Sequence, residues 1–266
     1  MFRLPCRVRR SEAGVEDAIE APPLDLEAYL PRLTARGVIL SLLVSNHPAR
    51  PTPAQVVRAA GAFGIKESAA RVALSRLVSG DELLRTAEGF RLSARLLERR
   101  QRVLHEVEQQ TVPWNGDWEM VVITGTGRDP VDRASLRSRL SRLRLAELRE
   151  GVWMRPANLL RPLDMRAEPV RVLTGSPMGN PGELLGALWD LPAWEADSVR
   201  LLELMERAES PVDRFTVATA IVRHLLADPV LPQELRPDPW SAGLVHAAWM
   251  AYQGEFVSIP EVDHRD

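Results

Sequence analysis

Residues 63–80 read FGIKESAARVALSRLVSG, and this stretch decides how the front of the chain folds. A short glycine-bearing turn, Gly61-Ala62-Phe63-Gly64, leads into a helical pattern from about Lys66 to Ser79, with Gly80 as its expected left-handed stop. Ala69, Val72, Ala73 and Leu77 form the expected packing stripe. Ser68, Arg71 and Ser75 lie roughly opposite, with Lys66 and Arg76 on the flanks. Upstream, TARGVILSLLVSN (34–46) carries Val38, Ile39, Leu42 and Leu43 at helical spacing behind Thr34 as a cap. Thr52-Pro53 is a cap-plus-proline start for a second short helix, Ala54 to Ala60. Downstream, Leu83-Leu84-Arg85 and Phe90-Arg91-Leu92 flank Ala87-Glu88-Gly89 and read as a hairpin.

Three helices, the last two joined by a tight turn, followed by a hairpin, is the order of a winged helix-turn-helix. In that arrangement the first two helices brace the third, whose free face enters the DNA major groove. Short hydroxyls allow close approach, and a guanidinium bonds both acceptors of a guanine. The expected DNA contacts are therefore Lys66, Ser68, Arg71, Ser75 and Arg76 on the helix, and Arg85 and Arg91 on the hairpin. The competing reading is a three-helix packing module whose polar face meets water.

Charge sharpens the choice. The chain nets −2, yet residues 34–110 hold 12 basic and 7 acidic residues, residues 111–182 hold 11 and 8, and residues 183–266 hold 6 and 15. All cations but Lys66 are arginines. A basic front with an acidic rear suggests that one part meets a polyanion. At 266 residues with 45% hydrophobic and 26% charged residues, the chain is a folded protein of one large domain or two to three small ones, not a disordered or collagen-like one. No apolar run is long enough to span a bilayer, and MFRLPCRVRR lacks the apolar stretch of a signal peptide. The single Cys6 forms no internal disulfide. A cytoplasmic protein is expected.

The rest of the chain reads as follows. Residues 1–33 are an N-terminal tail, 34–92 the DNA-binding unit, 93–112 a connecting helix, 113–182 a central unit and 183–266 a mainly helical one. WEMVVIT (118–124) is a buried strand. Pro130 to Glu150 reads as one long helix with Leu136, Leu140, Leu143 and Leu148 inward, and strands follow at 151–155 and 169–174. That β-α-β-β order begins a ferredoxin-like α/β sandwich, so the expected class is α+β. The rear reads as helices over Glu183–Leu188, Trp194–Ala208, Val212–Ala227 and Trp240–Glu255. Gly125-Thr126-Gly127 lacks the third glycine and the helix start of a dinucleotide loop, and the five histidines show no metal-ligand spacing. No catalytic constellation, metal site or cofactor is expected.

Three separated blocks, in order, resemble one family. Phe63-Gly64-Ile65 with Ala69-Ala70-Arg71-Val72-Ala73-Leu74-Ser75-Arg76-Leu77-Val78 is similar to the recognition-helix block of the PaaX-type regulators, the phenylacetate-catabolism repressors. Trp114-Asn115-Gly116-Asp117-Trp118 resembles their W-x-G-x-W element. Arg214-Phe215, Asp228-Pro229-Val230-Leu231-Pro232 and Trp240 resemble their late helix and loop. Lys66 stands where the family often has a capping Ser, and the hairpin lacks its basic-aromatic tip. The resemblance implies a homodimeric repressor that binds double-stranded DNA and leaves it on binding an acyl-CoA effector. Arg214 and Arg223 flank the matching late segment and are the expected effector-binding cations. The family's central unit is similar to a small CRISPR-associated endoribonuclease fold, which raises the alternative of a metal-dependent nuclease. Its first strand here ends Ile123-Thr124-Gly125 with no carboxylate, leaving Asp129 as the nearest substitute.

Overall fold

In a computed structural model, the structure describes residues 34–45, 50–108, 110–125, 129–161, 163, 165 and 168–257. The N-terminal tail (1–33), with its arginines, lies outside the described residues. The class is mixed α+β, with antiparallel sheets throughout.

Three helices open the described chain: α1 (Ala35–Ser45), α2 (Pro53–Gly61) and α3 (Glu67–Ser79). Thr34 Oγ1 accepts from the Gly37 amide at 3.1 Å, as expected of a cap. Thr52 and Gln55 form a reciprocal capping box that starts α2 at Pro53. No side chain caps α3, because Lys66 occupies its N-cap position and has no acceptor to offer. Gly80 is not left-handed: its φ is −91°, and Asp81 (φ 54°) makes the left-handed turn. Strands β1 (Leu83–Arg85) and β2 (Phe90–Leu92) then pair antiparallel, Leu84 opposite Arg91.

The inward stripe of α3 differs from the sequence expectation. Ala70, Ala73, Leu74 and Leu77 are buried, while Ala69 and Val72 are exposed. Burying the two leucines is worth about 1.5–3 kcal/mol each, against little for an alanine, so the helix turns the face that carries both of them inward.

Helix α4 (Ala94–Val107), capped by Ser93, leads to the central unit. There β3 (Trp118–Ile123), α5 (Pro130–Arg142), β4 (Ala146–Arg149), β5 (Val152–Pro156) and β6 (Val170–Gly175) follow in sequence. The sheet order is β4-β5-β3-β6, the order that a β-α-β-β ferredoxin-like start produces. Alternation along β3 sends Val121 under α5 with Leu136, Leu140 and Trp153. Trp118 and Met120 face the other way, onto Met154, Leu185 and Leu231.

The long helix expected over 130–150 instead stops at Arg142, and residues 146–149 form a strand. Leu148, expected inward, is exposed. The cause is tertiary. Arg144 adopts a left-handed conformation (φ 66°) and buries its guanidinium against the carbonyls of Glu106 and Leu226. That anchor breaks the helix and turns the chain into β4.

The rear holds α6 (Pro181–Leu188), α7 (Leu191–Arg207), α8 (Pro211–Leu226) and α9 (Ala242–Val257). Trp240 precedes α9, its ring stacked on Trp194 at 4.3 Å. One hydrophobic core joins front and rear: Ile39, Leu74, Leu77 and Phe90 pack in the same cluster as Leu204, Phe215, Ile221 and Val245. Phe63 meets Phe215 edge to face at 5.3 Å. The three opening helices are thus braced from behind by α7, α8 and α9.

Candidate nucleic-acid interface

With Ala70, Ala73, Leu74 and Leu77 turned in, the 3.6-residue period of α3 places Ser68, Val72, Ser75 and Ser79 along its outermost ridge. All four are exposed, Val72 at 50%. Arg71 flanks the ridge on one side, and Arg76 with Ala69 on the other; Lys66 stands exposed at the helix start. Each helix residue expected at DNA therefore lies on open surface. Arg71 is held back within the face, its guanidinium 2.7 Å from the Glu67 carboxylate one turn earlier. An exposed pair of this kind is worth about 0–1 kcal/mol, so Glu67 holds Arg71 only weakly. Arg76 has no ion pair among the described residues.

Between the start of α1 and the flank of α3 lies a cleft of about 500 Å³, lined by Thr34, Ala35, Arg36, Ser68, Ala69, Val72, Ala73 and Arg76. Arg36 bonds the Glu82 carboxylate, which holds that carboxyl below its ordinary range. The hairpin stands beside α3. Arg85 lies over the Phe90 ring, 5.7 Å from its centroid, and both Arg85 and Arg91 are exposed. The hairpin is pinned from below by the Phe90 amide donating to the Pro51 carbonyl, and by an Arg50–Glu88 ion pair. Gly89 makes that approach possible, since a Cβ there would sit 2.3 Å from the Arg50 carbonyl oxygen.

Two arginines of the central unit, Arg155 and Arg144, are spent differently. Arg155 is wholly buried, bonded to Glu119 and to the carbonyls of Leu143 and Arg161. Burial pulls its pKa down from the ordinary guanidinium value, and Glu119 opposes that pull. Arg144 is lowered in the same way, its burial offset by Asp228 and Glu106. Arg137 and Arg139 bond Glu147 and Glu168.

Arg214 is half-buried and Arg223 exposed, both on α8. Nine residues is two and a half turns, so they project from opposite sides of that helix, and a single small anion does not touch both. The late family-like loop is a structural knot. Asp228 Oδ1 accepts from the Val230 amide at 2.7 Å, Asn158 donates to the Val230 carbonyl at 2.9 Å, and Arg236 donates to that of Leu231. Burial raises the Asp228 pKa against that amide bond and the nearby Arg144.

Trp114 and Trp118, ring centroids 6.4 Å apart, line a second cavity of about 410 Å³ with Pro177, Met178, Asn180 and Leu184. On α8, His224 meets Ser198 Oγ at 2.8 Å and stacks on Trp194. Burial lowers its pKa, with Asp197 and Glu195 pulling the other way. Ser198 is itself fully buried and His224 half-buried, so the pair sits within the packing of the rear helices. Asp129, the carboxylate on which a nuclease would depend, caps α5 by accepting from the Val131 amide at 2.9 Å. The described residues contain no cluster of three metal-ligating side chains, and no described helix is long and apolar enough to cross a membrane.

Sequence reasoning missed Val72 and Ala69 as surface residues. Leu74 was the available signal: it is bulkier than either, and giving it priority rotates the stripe to the observed face.

Two family models match the chain. The model for PaaX-like protein covers residues 34–96, and that for the PaaX protein central Cas2-like domain covers residues 111–173. The solved structure of the uncharacterized protein Rv0674 from Mycobacterium tuberculosis is 44% identical. Its TM-score is 0.76, with 85% of this chain and 96% of that one covered. No curated protein matches.

Proposed function

This chain belongs to the PaaX-type family, and from that membership we propose a DNA-binding transcriptional regulator, a homodimeric repressor released by an acyl-CoA-like effector. The observation that carries the reading is the outward face of α3. Ser68 and Ser75 are exposed on its outer ridge and Arg71 and Arg76 on the two flanks, with Lys66 at its start and Arg85 and Arg91 on the adjoining hairpin. That disposition supports the reading of a winged helix-turn-helix whose third helix enters the major groove. The sites follow from it: arginines on α3 read guanine, and the hairpin arginines hold phosphate.

A second copy fits at β6. It is an edge strand of the sheet, and Val172 and Leu173, which point to opposite faces, are both exposed. An unprotected apolar edge of this kind pairs with another strand, and pairing with its own copy produces a two-fold axis. The cavity beside the central sheet, where Trp114, Trp118, Met178 and Leu184 supply apolar surface next to Asn180 and Glu183, is the place for the acyl group of an effector.

Fluorescence-anisotropy titration of the purified chain against selected genomic fragments tests the reading. A preferred sequence bound at least 1,000-fold more tightly than random duplex is expected, with release by a panel of CoA thioesters. Equal affinity for every duplex overturns it.

A further inference from the structure

Val72 has no structural reason to be where it is. It sits half-exposed at the middle of the outermost ridge of α3, between Ser68 and Ser75, and contributes nothing to the buried stripe. A β-branched residue there also loses side-chain freedom in the helix, a cost that alanine does not have. Ala69 is exposed beside it, and both line the cleft that Arg36, Ala73 and Arg76 also line. Ser68 completes the surface with a short hydroxyl that lets another surface approach closely.

We propose that Val72, with Ala69, reads the 5-methyl group of a thymine in the operator. This rests on the DNA-binding reading above and goes beyond it, by naming the base that this ridge selects. The charge around the patch fits a polyanion, with Arg71 and Arg76 on either flank of the ridge and Lys66 at its end. A duplex drawn down by those cations presents its base edges to the ridge itself. In the major groove, thymine is marked by its methyl group and one acceptor, and apolar side chains are the ones that contact the methyl. Arg71 and Arg76 recognise guanine or phosphate on the flanks; Val72 at the centre recognises the apolar edge. The half-site therefore carries a thymine between the positions that the two arginines reach.

Uracil tests this without touching the protein, because it keeps the pairing edge of thymine and lacks only the methyl group. Each thymine of the selected operator is replaced by uracil in turn, and affinity is read by anisotropy. At one thymine per half-site the wild-type chain should bind about fourfold more weakly after replacement, the factor carried by burial of one methylene-sized group. Val72→Ala should bind the thymine operator about as weakly and show no difference between thymine and uracil. Its thermal unfolding midpoint should be no lower than the wild-type value, since the side chain belongs to no core cluster and alanine favours the helix. A preferred operator whose affinity ignores every uracil replacement overturns the inference and leaves the regulator reading standing. An unchanged thymine-to-uracil ratio in Val72→Ala does the same. Absence of any preferred sequence removes both.

Discussion

Arginines at the front of the molecule and two arginines in its middle have the same chemistry and opposite uses. On α3 and the hairpin, Arg71, Arg76, Arg85 and Arg91 stay at the surface, where the strongest restraint is an exposed pair such as Arg71 with Glu67. In the central unit Arg155 and Arg144 are internal struts that satisfy carbonyls from distant segments. Residues 34–110 and 111–182 are both net basic, so charge alone makes the two regions look like one polyanion-binding tract. Burial sets Arg155 and Arg144 apart, since a guanidinium enclosed by the fold presents no donor to phosphate, whereas Arg133, Arg142, Arg149 and Arg171 of the middle stay exposed.

The largest expected effect breaks the strut side of this contrast. Arg155→Met leaves Glu119 and two carbonyls without their donor, and should lower unfolding free energy by about 3–5 kcal/mol in urea titrations. An unchanged midpoint would show that the guanidinium is dispensable. Next comes the surface side. Arg76→Ala should weaken operator binding by about 1–3 kcal/mol if it bonds a guanine, with the unfolding midpoint unmoved. If it contacts phosphate alone, the salt slope falls by about one unit on every sequence instead.

A titration effect follows, smaller and confined to acid. Burial holds the His224 pKa below its ordinary value of about 6.5, so the folded chain binds fewer protons there than the unfolded chain. Its contribution to stability is complete above that ordinary value and is lost as pH falls through the lowered one. His224→Gln should flatten the decline in thermal midpoint below about pH 6.5, and an equally steep decline in the variant would assign the acid sensitivity elsewhere. The smallest effect concerns Glu67→Gln, which frees Arg71. Affinity for random duplex should rise at low salt, while stability falls by no more than about 0.5 kcal/mol.

Much of the front was legible because its signals are local. Thr34, the Thr52-Pro53 pair and the 83–92 hairpin announce themselves through caps and turns, and the observed elements start within a residue or two of their expected positions. The rotation of α3 was less legible. Two stripes, one through Ala69 and Val72 and one through Ala70 and Leu74, share Ala73 and Leu77 and differ by a modest turn of the helix. Arg144 was illegible: nothing in SRLRLAELRE (141–150) distinguishes the arginine that breaks the helix from those around it. The partners that decide it, Glu106 and Leu226, are 38 and 82 residues away.

By itself the sequence determined the order of the elements, the α+β class and the family, because caps, turns and hydrophobic periods act over a few residues. Tertiary structure alone decided which side of α3 faces outward, where the central helix ends and which arginines are spent inside. Each of those depends on what surface a distant segment offers, and on the burial energy gained there.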